Sequence, residues 1–154
     1  MKKRPTFALR YIAYGVSLLA FGISTSLMAA TDVWVANGDG TVTDVATGLM
    51  WQQQDDNILR NHANAITFCQ NLSLAGQADW RLPNIKELTS LVDYRQFNPA
   101  IDVAAFPNTS SSSSYWSASS RASSSSSAWV VDFVFGGVVS GSKTTVSFFV
   151  RCVR

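Results

Sequence analysis

The stretch FFVRCVR, residues 148–154, holds one of the two cysteines of the chain in a segment with the apolar character of a β-strand. Residues two apart in a strand lie on the same face, so Phe148, Val150 and Cys152 are expected to point together into the core. The only other cysteine, Cys69, lies far earlier in the chain. Whether these two cysteines pair therefore decides how the domain is closed.

The beginning of the chain has the order of features typical of a secretory signal peptide. Four basic residues precede an apolar run over about residues 11–27, and small residues follow at Ala29 and Ala30. We predict a signal peptide over residues 1–30 and one mature domain over residues 31–154. An uncleaved anchor is the alternative, because the apolar run approaches the ~20 residues that span a bilayer. After cleavage, no stable membrane span is expected.

Export changes the charge that the chain presents. The whole sequence has 12 basic and 10 acidic residues, and four of the basic ones fall within residues 1–30, which leaves eight basic against ten acidic residues. The mature net charge is therefore near −2, without a basic cluster, and this argues against nucleic acid as a partner. The expected location is the periplasm, the cell surface or the medium.

An even pair of cysteines in an exported domain predicts a disulfide between Cys69 and Cys152. Closing a loop of about 80 residues would restrict the unfolded chain by roughly 4 kcal/mol in the chain-entropy model. Two buried thiols are the alternative. Cys69 is expected on the buried face of a helix, because apolar residues flank it at helical spacing: Ala65, Ile66 and Leu72.

The segment before this helix predicts a hairpin. Residues 33–35 and 41–43 are β-prone, and residues 37–40 supply turn residues between them. A calcium loop is the alternative, since Asp39 and Asp44 lie on a glycine-containing turn. The spacing lacks the third acidic position and the distal glutamate of an EF-hand, so we predict no metal site.

The remaining elements predict an α+β domain. A second helix is indicated over residues 82–92, where Asn84 and Glu87 have the spacing of a capping box. Residues 93–114 have no sustained period and predict a long loop. Short strands are expected at YWSAS, residues 115–119, and AWVVDFVF, residues 128–135, with a loop at RASSSSS, residues 121–127, and a turn at Gly136 and Gly137. The predicted architecture is an N-terminal hairpin, two helices, a long loop region and a C-terminal antiparallel sheet.

Five strings in this order resemble the Lcl C-terminal domain family of bacterial exported proteins: NGDGTVTDVATGLMWQ, CQNLSLAGQADWRLPNIKELTSLVDY, YWSAS, AWVVDF and VRCVR. The resemblance runs from about Asn37 to Arg154. Such domains are similar to the C-type lectin-like fold, in which a helix cysteine pairs with one on the last strand. Cys69 and Cys152 occupy those two places.

The resemblance implies adhesion. The founding member, a collagen-like surface protein, uses this domain to bind sulfated glycosaminoglycans. This chain differs in having no Gly-X-Y repeat and a slightly acidic mature charge. It also lacks the Glu-Pro-Asn and Trp-Asn-Asp triplets of calcium-dependent lectins, and we expect Asp79, Trp80 and Arg81 to be structural.

The serine tracts permit two interpretations. Some lectin-fold proteins similar to this family are targets of diversity-generating retroelements, which randomise a C-terminal display segment, and the serines here surround Tyr115, Trp116 and Trp129. Simple drift to serine in an exposed loop is the alternative.

We expect the serine-rich loops to bind ligand. Aromatic rings would give flat surfaces, although Trp116 and Trp129 fit a core equally well, and serine hydroxyls and Arg121 would give hydrogen bonds. The predicted contacts are Ser113, Ser114, Tyr115, Trp116, Ser119, Arg121, Ser123, Ser124, Ser125, Ser126 and Ser127. The ligand class is a surface glycan or protein, and the alternative function is a structural or assembly component of the cell envelope without a ligand site.

We predict neither an enzyme nor a cofactor. The single histidine, His62, is expected to be exposed or to cap the first helix and so not to act as a general base. The adjacent carboxylates of Asp55 and Asp56 are expected in a solvated turn.

Overall fold

The fold is described by a computed structural model that covers residues 33–154, and the predicted signal peptide lies outside the described residues. The elements in order are β1 (Trp34–Ala36), β2 (Thr41–Asp44), β3 (Met50–Gln52), α1 (His62–Gln70), α2 (Ile85–Thr89), β4 (Tyr115–Arg121), β5 (Ser124–Asp132) and β6 (Gly137–Ser142). They form two antiparallel three-stranded sheets, β1-β2-β3 and β4-β5-β6. The predicted α+β class is confirmed. Within residues 33–154, neither helix has the length and apolar character needed to cross a bilayer.

The first sheet begins with the predicted hairpin. Gly38 and Gly40 supply the positive φ angles of its turn, at 79° and 87°. The Asp39 carboxylate accepts hydrogen bonds from the amide and the hydroxyl of Thr41, at 3.1 and 2.6 Å. Asp39 is therefore engaged in shaping the turn. The strand β3 pairs with β2 and extends the hairpin to three strands.

The two helices begin at asparagine caps. The side chain of Asn61 accepts the amide of Asn64 at the start of α1. The capping box predicted for α2 is confirmed, because the Asn84 side chain accepts the amide of Glu87 while the Glu87 carboxylate accepts the amide of Asn84. Cys69 is fully buried on α1, as its spacing predicts.

The second sheet contains the serine tract, and here the loop prediction is wrong. A tight turn at Ala122 and Ser123 joins β4 to β5, and residues 124–127 are the first four residues of β5. Ser127 pairs with Ser142 of β6, a strand that the sequence analysis did not predict. Backbone hydrogen bonds make this ladder whatever the side chains are, so a serine tract that suggests a loop can still pair as a strand.

The terminal segment, residues 148–154, is extended but does not form one long strand. It bonds in turn to separate parts of the chain: Phe148 to Arg60, Phe149 to Ser114 and Trp116, Cys152 to Gln52, Val153 to Arg81, and Arg154 to Met50. It therefore links the first sheet, the start of β4 and the segments that flank the two helices.

Both faces of the terminal segment are buried, which corrects the expectation of one inward face. Phe149 and Val153 enter a first core with Trp51, Leu88, Phe106, Tyr115 and Phe133. Val150 and Cys152 enter a second core with Cys69, Trp80, Trp116 and Val130. Alternate residues of one segment thus complete two hydrophobic clusters.

The predicted disulfide is confirmed. Cys69 and Cys152 are bonded, with 2.07 Å between their sulfur atoms, and both residues are fully buried. The bond ties α1 to the terminal segment, and the alternative of two buried thiols is excluded.

The structural interpretation of the DWR motif is also confirmed. Trp80 is buried and donates from its indole nitrogen to the carbonyl of Leu74. Arg81 pairs with Glu87 of the capping box at 2.8 Å, and Asp79 pairs with Arg154 at 2.7 Å. These ion pairs attach the motif to α2 and to the terminal segment.

Asp55 and Arg151 form a buried ion pair. Both side chains are 0% exposed, and an Arg151 nitrogen lies 3.2 Å from the Asp55 carboxylate. The guanidinium also donates to the carbonyls of Gln52 and Gln53, and the Tyr115 hydroxyl donates to Asp55 at 2.6 Å. The expectation of a solvated turn is wrong for Asp55, because Arg151 enters the same cluster from the terminal segment. It holds only for Asp56, which is more exposed and pairs with Arg60.

Candidate binding site

The predicted ligand contacts lie along the β4–β5 hairpin, and the structure divides them into two groups. Ser113, Ser114, Tyr115 and Trp116 lie at the inner end, where β4 begins. Arg121 and the serines of residues 123–127 lie at the turn end. Because β4 is seven residues long, these ends are about 20 Å apart. One small ligand therefore cannot contact both groups.

The two aromatic residues of the inner end belong to the core, and the prediction that their rings contact a ligand is wrong. Tyr115 and Trp116 are both 0% exposed. The Trp116 indole donates to the carbonyl of Arg60 at 2.7 Å, and the Ser114 carbonyl accepts the amide of Phe149. These contacts hold the hairpin against the terminal segment.

Ser119 has a structural contact as well. Its hydroxyl accepts the amide of Ile85, the first residue of α2, at 3.0 Å. The adjacent residue Ala118 donates its amide to the carbonyl of Pro83 at 2.7 Å. The hydroxyl of Ser119 is thus already engaged in holding α2 on the sheet.

The turn end presents the hydroxyl groups that the sequence analysis proposed. Ser123, Ser125 and Ser126 are exposed, and Ser124 and Ser127 are half-buried. The Ser124 hydroxyl lies 3.0 Å from that of Ser126. Since a hydroxyl both donates and accepts, this group can exchange its internal hydrogen bonds for bonds to a polar ligand.

Two cations flank these hydroxyls. The Arg121 guanidinium lies 5.9 Å from the ring centre of the half-buried Trp129 and 3.5 Å from the hydroxyl of Ser140. The ammonium of Lys143 donates to the hydroxyl of Ser120 at 2.6 Å. We call the following set the cationic hairpin tip: Arg121, Lys143 and the serines at positions 120, 123–127 and 140.

Lys143 and Ser140 were missed by the sequence analysis. The signal for Lys143 was its position as the single charged residue between Asp132 and Arg151. Its placement depends on the unpredicted strand β6, because the amide of Lys143 bonds to the carbonyl of Ser126 just beyond that strand. Strand pairing, and not sequence proximity, brings the two cations to one end of the sheet.

The charge of the tip is not balanced locally. Within residues 33–154, neither Arg121 nor Lys143 forms an ion pair. From Val103 to Arg154 the sequence has a single acidic residue, Asp132, at the opposite end of β5. Neither cation therefore has a competing carboxylate among the residues described, and each is able to bind an anionic group of a ligand.

His62 is buried, which corrects the expectation of exposure. Its Nε2 atom lies 3.0 Å from the Ser117 carbonyl, and its ring packs edge-on against Trp116. Burial, together with the charge of Lys143, lowers the pKa of His62, and the hydrogen bond to Ser117 opposes this only in part. The ring supports the packing between α1 and the second sheet.

These features define a class of protein: a disulfide-linked α+β domain that displays a hydroxyl-rich, cationic hairpin tip. The chain belongs to the Lcl C-terminal domain family, whose model matches residues 40–154. The match confirms the resemblance found in the sequence. A comparison with curated proteins gave no match.

Proposed function

We propose that the chain is an exported binding module of the adhesin type, and that its cationic hairpin tip recognises a surface glycan bearing acidic groups. The observation that carries the proposal is that, within residues 33–154, Arg121 and Lys143 form no ion pair and lie among serine hydroxyls. Charge-assisted hydrogen bonds from such cations to carboxylate or sulfate groups are stronger than neutral ones. Serine hydroxyls would supply the neutral contacts to sugar hydroxyls.

The proposal extends to location and fold. A buried disulfide is typical of proteins that fold in an oxidising compartment, which supports export to the periplasm, the surface or the medium. The link from the helix cysteine to the terminal segment is the one that C-type lectin-like domains have. We therefore propose a lectin-like domain whose ligand-binding part is the hairpin tip.

Glycan-array binding of the mature domain, residues 31–154, tests the proposal. Arg121→Ala combined with Lys143→Ala should lower binding to acidic glycans at least ten-fold, because each lost charge-assisted bond is worth about 1.5–3 kcal/mol. Shortening the serine tract is a poorer test, because the tract contributes residues to β5.

Arg95→Ala is the matched control. Arg95 is 90% exposed, and its loop contacts the β5–β6 turn at the other end of the sheet, where Tyr94 packs on Gly136. Its loss should leave binding unchanged. Equal binding by the double variant and the parent domain would refute the proposed site.

A structural role in envelope assembly is the second candidate, and one observation favours it. Tyr94, Phe97 and Phe135 are 73, 75 and 72% exposed. They lie on two segments that are joined by the hydrogen bond from the Asn98 amide to the Val134 carbonyl. Clustered exposed aromatic residues commonly mark a protein contact.

The two candidates make opposite predictions. If assembly is the function, Phe97→Ser combined with Phe135→Ser should abolish association with envelope components in a cross-linking experiment, while the Arg121 and Lys143 variants should not affect it. If glycan binding is the function, the Arg121 and Lys143 variants should lower glycan binding, while the double variant of Phe97 and Phe135 should leave it unchanged.

A further inference from the structure

A groove along the outer side of α1 has the composition of a binding site, and it is separate from the cationic hairpin tip. The groove has a volume of about 690 Å³ and lies between α1, the segment at residues 58–60 and the segment at residues 71–73. This volume is within the range of about 300–1,000 Å³ that ligand pockets have. We call it the helix-side groove.

Amide side chains form one margin of the groove. Asn61, Asn64 and Asn71 all line it, together with Phe68. In the order Asn61, Asn64, Phe68 and Asn71, the successive spacings of three, four and three residues place these four residues in one row along α1 and its caps. In the described part of the chain the amide groups of Asn64 and Asn71 make no hydrogen bond, so both their donors and acceptors are open to a ligand.

Aliphatic side chains form the other margin. Ile58 and Leu59 line the groove and are 53% and 49% exposed, and the partly buried Leu72 lies at its other end. Two adjacent aliphatic residues that remain half-exposed beside a cavity retain apolar surface that a ligand can cover.

The one charged side chain that the described residues contribute to the groove, Arg60, is neutralised by an ion pair. The Arg60 guanidinium lies 4.0 Å above the ring centre of Phe68 and pairs with Asp56 through both of its terminal nitrogens. The backbone of Arg60 is bonded in both directions to Phe148 of the terminal segment. A ligand would therefore meet an electrically neutral surface in which Arg60 is held by side-chain and backbone contacts.

We propose that the helix-side groove binds an extended, uncharged peptide segment with aliphatic side chains. An asparagine amide can pair with a peptide unit, because its carbonyl oxygen and one of its two N–H groups lie in one plane, as the carbonyl and the N–H of the peptide unit do. The row from Asn61 to Asn71 rises about 15 Å along the helix, the length of four or five extended residues. Alternate side chains of such a peptide would cover Ile58 and Leu59.

The same geometry disfavours a sugar as the occupant of this groove. Sugar rings stack on open aromatic faces, whereas the Arg60 guanidinium already covers one face of the Phe68 ring. The ion pair of Arg60 with Asp56 also leaves no free charge for an acidic group. The aliphatic margin and the amide row instead match the side chains and the backbone of a peptide.

Selection of a phage library of random nine-residue peptides on the mature domain tests the proposal. The Asn64→Ala and Asn71→Ala double variant serves for counter-selection, and Asn61 is left intact because it caps α1. Enriched peptides should be aliphatic and uncharged, and they should bind the parent domain at least ten-fold more tightly than the double variant. Gln70→Ala, which removes an exposed amide of α1 outside the groove, should leave their binding unchanged.

NMR spectra of the ¹⁵N-labelled domain show both folding and the location of binding. The selected peptides should shift the side-chain NH₂ signals of Asn64 and Asn71, and the double variant should keep the dispersed spectrum of a folded domain. The proposal is overturned if no peptide is enriched over the double variant, if the enriched peptides bind both proteins equally, or if maltopentaose shifts these signals and the peptides do not. None of these results tests the proposal of glycan binding at the cationic hairpin tip.

Discussion

Arg151 brings a full charge into the interior, and the fold neutralises it with a network of specific partners. The guanidinium lies between the Asp55 carboxylate and the hydroxyl of Thr109, at 3.2 and 2.9 Å. It also lies over the ring of Phe106, 5.0 Å from the ring centre. Removing one partner of a buried pair costs far more than removing an exposed one, because the remaining charge is left without compensation.

We predict that Asp55→Ala lowers the free energy of unfolding by about 3–5 kcal/mol, because it leaves Arg151 buried and unpaired. The adjacent residue gives the control: Asp56 pairs with Arg60 near the surface, so Asp56→Ala should cost about 0–1 kcal/mol. Urea unfolding followed by tryptophan fluorescence measures both. Equal losses in the two variants would contradict a special role for the buried pair.

The second prediction at this scale concerns acid. The pKa of His62 is lower in the folded chain than the usual 6.5, so the unfolded chain binds its proton first as the pH falls. The contribution of the neutral His62 ring to stability is therefore fully present above pH 6.5, and it is lost as the pH falls from 6.5 towards the pKa of His62 in the folded chain. Melting temperatures at pH 7.5 and 5.5 measure this loss.

His62→Gln should remove most of the difference in melting temperature between pH 7.5 and pH 5.5. The carboxylates with lowered pKa values, Asp56, Asp79, Glu87 and Asp93, have ordinary values of 3.8 to 4.5 and lose their contributions at lower pH. A pH dependence that persists unchanged in the variant would contradict the assignment to His62.

At the scale of elements, the β5–β6 turn is held by close packing at one glycine. Gly136 has a φ of 76°, and a Cβ atom there would lie 2.3 Å from a methyl carbon of Val92 and 3.0 Å from the Tyr94 ring. Gly137 is the next residue, and a Cβ atom there would meet nothing within 4 Å. The two positions therefore differ in both backbone conformation and space.

We predict that Gly136→Ala destabilises the domain by about 1–3 kcal/mol through overpacking and backbone strain. Gly137→Ala should change the stability by less than about 0.5 kcal/mol. Thermal unfolding of the two variants gives the comparison. A loss for Gly137→Ala as large as that for Gly136→Ala would show that loss of glycine flexibility, and not the contact with Val92, is responsible.

Elements encoded by local signals were predictable from the sequence. The hairpin turn before Thr41 and the capping box of α2 each depend on residues within four positions, and both are present. The strand β6 was not predictable, because its segment GVVSGS has glycine and serine where strands usually have β-branched residues. The cationic hairpin tip was consequently predicted only in part: Arg121 was identified, while Lys143 depends on β6.

At the scale of the whole molecule, one covalent bond and one segment hold the parts together. The disulfide spans 83 positions of sequence and joins α1 to the terminal segment inside the second core. Its partners were predictable because the chain has only two cysteines. The burial of Asp55 and His62 was not predictable, since each is covered by residues at least 53 positions later in the chain.

We predict that Cys69→Ser combined with Cys152→Ser destabilises the domain by about 4–5 kcal/mol, because the unfolded chain regains the freedom of a long loop. That loss is a large part of the 5–15 kcal/mol of a typical domain. Chemical unfolding of the parent with and without reductant, compared with the double variant, measures it. Equal stability of the oxidised parent and the variant would refute this role.

The hydrogen bonds of residues 148–154 also have a consequence for biosynthesis. The ribosome makes these residues after every segment to which they bond. A nascent chain that stops before Phe148 lacks the side chains that close both hydrophobic clusters and lacks the second half of its cross-link. We therefore expect such an intermediate to be less compact than the complete domain, whose two clusters can close only after synthesis has passed Val153.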